Sequence, residues 1–337
     1  MKKVAINGLG RIGKMVLWHY FTNKPDNIKI IVANGGSGTP EDLAYMLKFD
    51  SVHGKFPVSV EYTDDSLILD GEEIKIVSER DPQKLPWSEM GIDIVIEATG
   101  KFTEREKAAK HLQAGAKKVV ITAPGKNVDK TIVLGVNENE YDPNNHHIVS
   151  NASCTTNSLA PVMKILEDEY GVESALVTTV HAYTSSQVTI DKKKPGKHRR
   201  GRAAAINIIP TTTGAAKATI EVIPELKGKM HAMALRVPVA DVAVTDISVT
   251  LKKEVSAEEL NKKFEEYANE KLKGILGITY DEVVSTDMIN NPNSSTIDAL
   301  STAVVDGNKA KILTWYDNEF GYAKRVLELT SLIASKL

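Results

Sequence analysis

A short apolar run, Val4-Ala5-Ile6, leads into Gly8-Leu9-Gly10-Arg11-Ile12-Gly13. A helical stretch carrying Met15, Val16, Trp18 and Tyr20 follows, then a second apolar run from Ile28 to Ala33. Strand, glycine-rich turn, helix and strand in this order make the unit that binds dinucleotides. Gly8 permits the tight turn, Gly10 lets backbone approach a pyrophosphate, and Gly13 lets helix and strand pack closely. Unpaired N–H groups at the helix start favour the phosphate anions. One part of the pattern is missing. The second strand usually ends in an acid that hydrogen-bonds the ribose 2′-OH, but here it ends Asn34-Gly35-Gly36-Ser37-Gly38, and Asp26 lies at the wrong end. A carboxylate there would also repel the 2′-phosphate of NADP, so its absence removes that exclusion.

The alternation continues. Ile92 to Gly100 is a buried-type strand ending in a small-residue turn, with a helix from Thr103 to Ala114. Lys118 to Pro124 and Thr131 to Gly135 are further strands. Such alternation implies a parallel sheet with ligands at the carboxyl ends of its strands, where Asn34, Thr99, Thr122 and Cys154 fall. The Leu43 to Leu69 region reads as an insertion with hairpin character. Beyond residue 154 the pattern changes to long β-branched or alternating runs: Ser174 to Tyr183, Met233 to Pro238, Val242 to Leu251 and Lys311 to Tyr316. These predict a largely antiparallel mixed sheet, with helices at Thr213 to Val222, Ser256 to Leu272 and near Ser301. The fold class is therefore α/β, a Rossmann-type parallel-sheet domain plus an α+β catalytic domain. The expected division is residues 1–153 with 319–337, and 154–318. Glu319 to Lys336 has helical spacing and is expected to pack back on the first domain.

A length of 337 residues suits two domains. A net charge of −2 gives no electrostatic case for nucleic acid or an anionic membrane. The start of the chain lacks an apolar leader, and no apolar run approaches the ~18 residues of a membrane span. One cysteine permits no intrachain disulfide, which fits a reducing compartment, so a cytoplasmic location is expected. No metal site is expected.

That cysteine sits in Ser150-Asn151-Ala152-Ser153-Cys154-Thr155-Thr156-Asn157, between a β-like run and a helical pattern from Leu159 to Tyr170. Cys154 is thus predicted at the first turn of a helix, where free N–H groups and the dipole lower a thiol's pKa. His181 ends a strand and is the natural base for it. Thr211-Thr212-Thr213-Gly214 opens a helix, which suits either an anion site or a simple N-cap. Arg236, in an apolar strand, is costly unless it meets an anion or an acid.

Four stretches carry a resemblance that covers the whole chain: Ile6 to Gly13, Ser150 to Asn157, Ile209-Pro210-Thr211-Thr212-Thr213-Gly214-Ala215-Ala216-Lys217-Ala218, and Trp315-Tyr316-Asp317-Asn318-Glu319-Phe320-Gly321-Tyr322. The chain resembles the phosphorylating glyceraldehyde-3-phosphate dehydrogenase family. The resemblance implies that Cys154 attacks the aldehyde of glyceraldehyde 3-phosphate and that His181 takes the proton. Hydride passes to NAD or NADP, and inorganic phosphate releases 1,3-bisphosphoglycerate from the thioester. It implies cofactor contacts at Asn7, Gly8, Gly10, Arg11, Ile12, Gly13, Asn34, Gly35, Arg80, Thr99, Thr122, Lys193 and Asn318. It implies a substrate-phosphate site at Thr184 and Arg236. An inorganic-phosphate site falls at Ser153, Thr155, Thr213 and Gly214, with Arg199 near both. It further implies a homotetramer in which the Ala182 to Ile206 loop reaches a neighbour's cofactor.

Two departures stand out. Gly35 replaces the usual acid. Where many NAD-using relatives carry a glycine or leucine followed by a proline, this loop has Lys192-Lys193-Lys194. Both favour a 2′-phosphate, and a solvated lysine run beside a neutral loop is the plainer account. Erythrose-4-phosphate dehydrogenase shares the Cys–His chemistry, although the Thr211 to Lys217 stretch follows the glyceraldehyde-3-phosphate pattern. Aspartate-semialdehyde dehydrogenase does not explain Trp315 to Tyr322. An RNA binder using Lys192 to Arg202 leaves the Cys154/His181 pair without a purpose.

Overall fold

Val4, Ala5 and Ile6 are wholly buried, the mark of a central strand covered on both faces. The computed structural model describes all 337 residues. It divides into one unit of Met1–Ile132, Asn137–Ser153 and Ala323–Leu337, and a second of Val133–Val136 and Cys154–Tyr322.

The first unit holds a nine-stranded sheet. Lys2–Asn7 lies at its centre, parallel to Ile28–Asn34 on one side and to Ile94–Glu97 on the other. Lys118–Ile121, Ile148–Ser150 and Lys130–Thr131 extend one edge in parallel. Register aligns the strand ends, so Asn34, Asn7, Glu97, Ile121 and Ser150 form one row across the sheet. That row is the ligand-binding edge of a parallel sheet. Helix Arg11–Asn23 starts from it directly after the glycine turn. Gly8 takes φ +105°, and a Cβ on Gly13 would lie 2.1 Å from the carbonyl oxygen of Gly8. Turn and helix therefore touch backbone to backbone.

The other edge departs from expectation. Leu43 lies in a helix, Pro40–Lys48, before the strands begin. Thr39 starts it with a capping box: the Asp42 N–H donates to the Thr39 hydroxyl at 3.2 Å, and the Thr39 N–H donates to the Asp42 carboxylate at 3.0 Å. The apolar pattern hid this helix because Tyr45, Met46 and Phe49 are exposed. Hairpin character does hold for Val60–Tyr62 and Ser66–Leu69, which pair antiparallel. Strand Glu72–Val77 then returns parallel to Ile28–Asn34. The run from Thr131 to Gly135 is a strand only at Lys130–Thr131. Helix Phe320–Ser335 lies with the first unit from Ala323 onward, and its Ser331 exchanges two hydrogen bonds of 2.8 Å with the Asn27 side chain.

The second unit is built on a seven-stranded mixed sheet. Val172–Ala182 runs antiparallel to Ala243–Leu251 and parallel to Met230–Val237. Helices Cys154–Tyr170, Ala215–Val222 and Ala257–Asn269 accompany it. No helix forms near Ser301. Ser295–Val305 is a strand paired antiparallel with Lys309–Tyr316. The β-branched Thr296, Ile297, Thr302, Val304 and Val305 favour it, and Asp306 and Gly307, both at positive φ, close the turn. No helix is long and apolar enough to cross a membrane.

The Gly13 contact sets a test. Gly13→Ala forces a methyl against the Gly8 carbonyl and should cost about 1–3 kcal/mol, the range for overpacking. The urea midpoint should fall with the slope unchanged; a wild-type midpoint would refute the contact.

Candidate active site

Strand Ile148–Ser150 ends on the sheet edge, and the chain turns sharply into helix Cys154–Tyr170. Ala152 makes the corner at φ +55°, a region that non-glycine residues rarely enter. Ser150 holds this corner. Its hydroxyl donates to the Ala123 carbonyl at 2.7 Å and accepts from the N–H groups of Gly125 and Ala152, each at 3.0 Å. Such a conformation costs on the order of 1–3 kcal/mol and persists only where its surroundings impose it. Here the result is a cysteine at the first helical position, as the sequence predicts.

His181 lies near the end of Val172–Ala182, opposite Arg236 in the parallel register. Parallel neighbours in register point to the same face. Nε2 of His181 is 3.5 Å from Sγ of Cys154. Its Nδ1 is 2.8 Å from the Ala182 carbonyl oxygen and 2.7 Å from Nη1 of Arg236, which also donates to that carbonyl at 2.8 Å. Burial, reinforced by Arg236, pushes the imidazole down to about 3, so it is neutral at pH 7. The expectation of a lowered thiol pKa is not met. Burial pushes the Cys154 thiol up, and this outweighs the opposing pull of Arg236 and the Thr155 N–H. Position at the helix start therefore does not by itself make Cys154 a thiolate.

The structure adds residues that the sequence reading passed over. The Tyr316 hydroxyl bonds the hydroxyls of Thr155 at 2.9 Å and Thr179 at 2.8 Å. Its ring stands edge-on to His181, with centroids 5.8 Å apart. Two signals were present: Thr179 shares a strand face with His181, and Tyr316 sits inside the Trp315 to Tyr322 stretch. Thr155 thereby has a buried partner and braces the start of the cysteine helix.

Among the anion residues, Arg236 is half-buried, and no carboxylate pairs with it. Thr184 bonds Ser186 at 2.9 Å. Thr213 accepts from the Ala215 N–H at 3.2 Å, just before helix Ala215–Val222, and Gly214, at the N-cap position, is exposed. Arg199 is exposed and does not act on the His181–Arg236 pair. Its neighbour Arg200 does: its charge acts on both residues, and its Nη2 donates to the Thr212 carbonyl at 3.3 Å. Both arginines lie in the tight turn His198–Gly201, whose consecutive residues point apart.

In the first unit, Asn7, Gly8, Gly10, Asn34, Gly35, Arg80 and Thr99 line one cavity of about 530 Å³. A Cβ on Gly10 would meet nothing within 4 Å, so space is open above the glycine turn. Ile12 is part-buried in the first turn of the helix that follows. Thr122 follows Lys118–Ile121, and its N–H donates to the Glu97 carbonyl at 3.0 Å. These features fit a bound dinucleotide. Two side chains are committed elsewhere. Arg11 pairs with the buried Asp50, leaving its backbone to the site. Asn34 Nδ2 donates to Asn7 Oδ1 and to the Glu79 carbonyl, both at 2.7 Å. Beneath them Glu97 accepts from Asn7 at 2.5 Å and from the Thr99 N–H at 2.9 Å, and lies 3.0 Å from His111. In the second unit Oδ1 of Asn318 is buried with no protein partner. A buried acceptor left open suits a ligand amide.

Where the acid is missing, a Cβ on Gly35 would lie 2.6 Å from Cδ1 of Leu43. Leu43 fills the place of the missing side chain. On the loop, Lys192 and Lys193 are exposed and make no ion pair, Lys194 bonds the Ser186 carbonyl, and Asp191 is neutralised by Arg202 at 2.8 Å.

Because the Arg236 charge is what opposes desolvation of the thiol, Arg236→Leu should raise the pH inflection of Cys154 alkylation by about one unit or more. Iodoacetamide rates against pH measure it; an inflection that stays put or falls would contradict the electrostatic account.

Comparison with known proteins agrees with this geometry. The family model described as the glyceraldehyde 3-phosphate dehydrogenase NAD binding domain matches residues 2–105, and that of the C-terminal domain matches residues 153–318. Glyceraldehyde-3-phosphate dehydrogenase 2 of Bacillus subtilis is 51% identical over 336 residues, spanning 99% of this chain and 97% of the relative. Glyceraldehyde-3-phosphate dehydrogenase of Geobacillus stearothermophilus is 52% identical over 335 residues, 99% and 98% of the two chains. That of Streptomyces coelicolor is 48% identical over 340 residues, 99% of each. With both family domains matched and half of all residues shared along the full length, the chain belongs to the glyceraldehyde-3-phosphate dehydrogenase family.

Proposed function

We propose that this enzyme oxidises glyceraldehyde 3-phosphate with inorganic phosphate to 1,3-bisphosphoglycerate. The observation that carries the reading is the Cys154–His181 contact of 3.5 Å beside Arg236, a cation with no acid partner. A bound NAD or NADP supplies the hydride acceptor. Cys154 adds to the aldehyde carbon, and the Thr155 N–H, already directed at Sγ, lies beside the charge that develops. His181 takes the proton from the hemithioacetal as the carbon reaches the thioester level. Inorganic phosphate then attacks that carbon, and Sγ leaves as thiolate. Arg236 and Thr184 hold the substrate phosphate. Ser153, Thr155, Thr213, Gly214 and Arg200 form the inorganic-phosphate site. Asn7 to Gly13, Asn34, Gly35, Arg80, Thr99, Thr122 and Asn318 hold the cofactor. The names of the relatives favour this aldehyde over erythrose 4-phosphate. A homotetramer in the cytoplasm, with residues 182–206 meeting a neighbour's cofactor, completes the reading.

Initial rates with glyceraldehyde 3-phosphate, with and without phosphate, test it. Cys154→Ser should abolish turnover, and His181→Asn should lower kcat roughly 10²–10⁴-fold, the usual worth of a general base. Phosphate-independent turnover, or an active Cys154→Ser, would sink the proposal.

The cofactor reading goes further: NADP is accepted. Gly35 removes the repelling carboxylate, Leu43 closes its place, and Lys192 and Lys193 carry unpaired charge. A charge-assisted contact to the 2′-phosphate contributes about 1.5–3 kcal/mol. Gly35→Asp combined with Leu43→Ala should therefore lower the NADP-to-NAD ratio of kcat/KM roughly tenfold or more. A wild-type enzyme with no measurable NADP activity refutes it.

A further inference from the structure

The contacts of His181 Nδ1 are mutually exclusive. Ala182 O, at 2.8 Å, can only accept a proton from Nδ1, whereas Arg236 Nη1, at 2.7 Å, can only donate one to it. With Arg236 in place, Nδ1 presents its lone pair and the ring proton sits on Nε2, facing Sγ of Cys154 at 3.5 Å. In that tautomer His181 is a donor to sulfur or to an oxyanion and cannot serve as a base. With Arg236 drawn aside, Nδ1 carries the proton and donates it to Ala182 O, and the Nε2 lone pair faces the reacting carbon.

We propose that Arg236 selects the tautomer of His181, and that a phosphate ester drawing Arg236 off Nδ1 converts His181 from donor to base. Arg236 is then a positioning residue for the base as well as a phosphate ligand. The inference rests on the phosphate-binding reading of Arg236 given above.

Three features support it. Register places His181 and Arg236 side by side on neighbouring strands, within reach of one another. Arg236 has no carboxylate to hold it, so an incoming anion meets a guanidinium bonded only to a carbonyl and an imidazole. The imidazole stays neutral well below pH 7, so the position of its proton is the variable and its charge is not. The switch moves one proton from Nε2 to Nδ1 by exchange with solvent and changes no net charge. Its consequence is selectivity. An aldehyde lacking the phosphate meets a site whose histidine is in the donor form, whereas one carrying it prepares the base on binding.

Nitrogen-15 NMR of the full chain labelled at histidine tests this directly, because protonated and bare ring nitrogens resonate far apart. Comparison with His181→Asn assigns the signals of His181 among the eight histidines. Without ligand at pH 7, wild type should show a protonated Nε2 and a bare Nδ1. Glycerol 3-phosphate, which has the phosphate ester but no aldehyde, should exchange the two. Arg236→Leu should show the exchanged pattern with no ligand. A purely structural role for Arg236 would move neither pattern. A proton already on Nδ1 in unliganded wild type, or an unchanged pattern in Arg236→Leu, overturns the proposal. If Arg236→Leu exchanges but glycerol 3-phosphate at saturating concentration has no effect, the triggering step is overturned. Titration of wild type alone keeps the test open if the variant fails to fold. Failure of the enzymatic reading would instead appear as absent turnover, which this spectrum does not measure.

Discussion

The site depends on one short distance, 3.5 Å between Sγ of Cys154 and Nε2 of His181. Two unrelated pieces of chain must each be fixed to hold it. The cysteine is set by a strained corner at Ala152, whose cost the Ser150 hydrogen bonds and the sheet edge offset. The histidine is set by strand register, which also brings Arg236 beside it. A slip of one residue between these two strands would leave His181 and Arg236 on opposite faces. The long strands of this unit therefore do more than enclose a core: their pairing fixes the chemistry, and Tyr316 locks the result by bonding Thr155 and Thr179 at once.

The same logic governs the first unit, where the constraint is a row of strand ends. Asn34, Asn7 and Glu97 stand level in register. Glu97 gathers the Asn7 amide and the Thr99 backbone, and Trp87 donates to His111 behind it at 3.0 Å. These polar groups are buried, and leaving any one unpaired would cost about 1–3 kcal/mol. The network therefore stiffens the floor of the cavity lined by the glycine turn. Polar side chains at this edge, Asn34 among them, mostly shape backbone, and the open space above Gly10 is left for a ligand.

Much of this was legible in the residues, for definable reasons. The dinucleotide unit could be read because glycine spacing reports backbone geometry directly, and the first-turn position of Cys154 because strand and helix patterns met there. The helix Pro40–Lys48 and the strand Ser295–Val305 were missed where local pattern misleads: one exposes its aromatic residues, and the other is broken by polar Thr and Ser positions. Arg200 was not visible in the pattern because His198–Gly201 is a 3-10 turn, in which side chains fan out by about 120° per residue, so sequence alone does not say which guanidinium faces His181 and Arg236. The raised thiol pKa was out of reach for another reason. Helix position is local and visible in sequence, but desolvation depends on everything packed around the sulfur, and here it outweighs the local term.

Arg236 shows how such a site can be both stable and reactive. A half-buried cation without an acid is costly to keep, since desolvation is not repaid by an opposite charge. The protein offsets part of that cost with the Ala182 carbonyl and the His181 lone pair, which are weaker partners than a carboxylate. A carboxylate would hold the guanidinium more firmly, but an anionic substrate would then have to displace it. It would also place negative charge beside the thiol and raise its pKa further. Two neutral acceptors avoid both effects. They satisfy the guanidinium at rest and leave its charge unpaired by any carboxylate. The same choice ties the state of the histidine to whether that charge has met an anion.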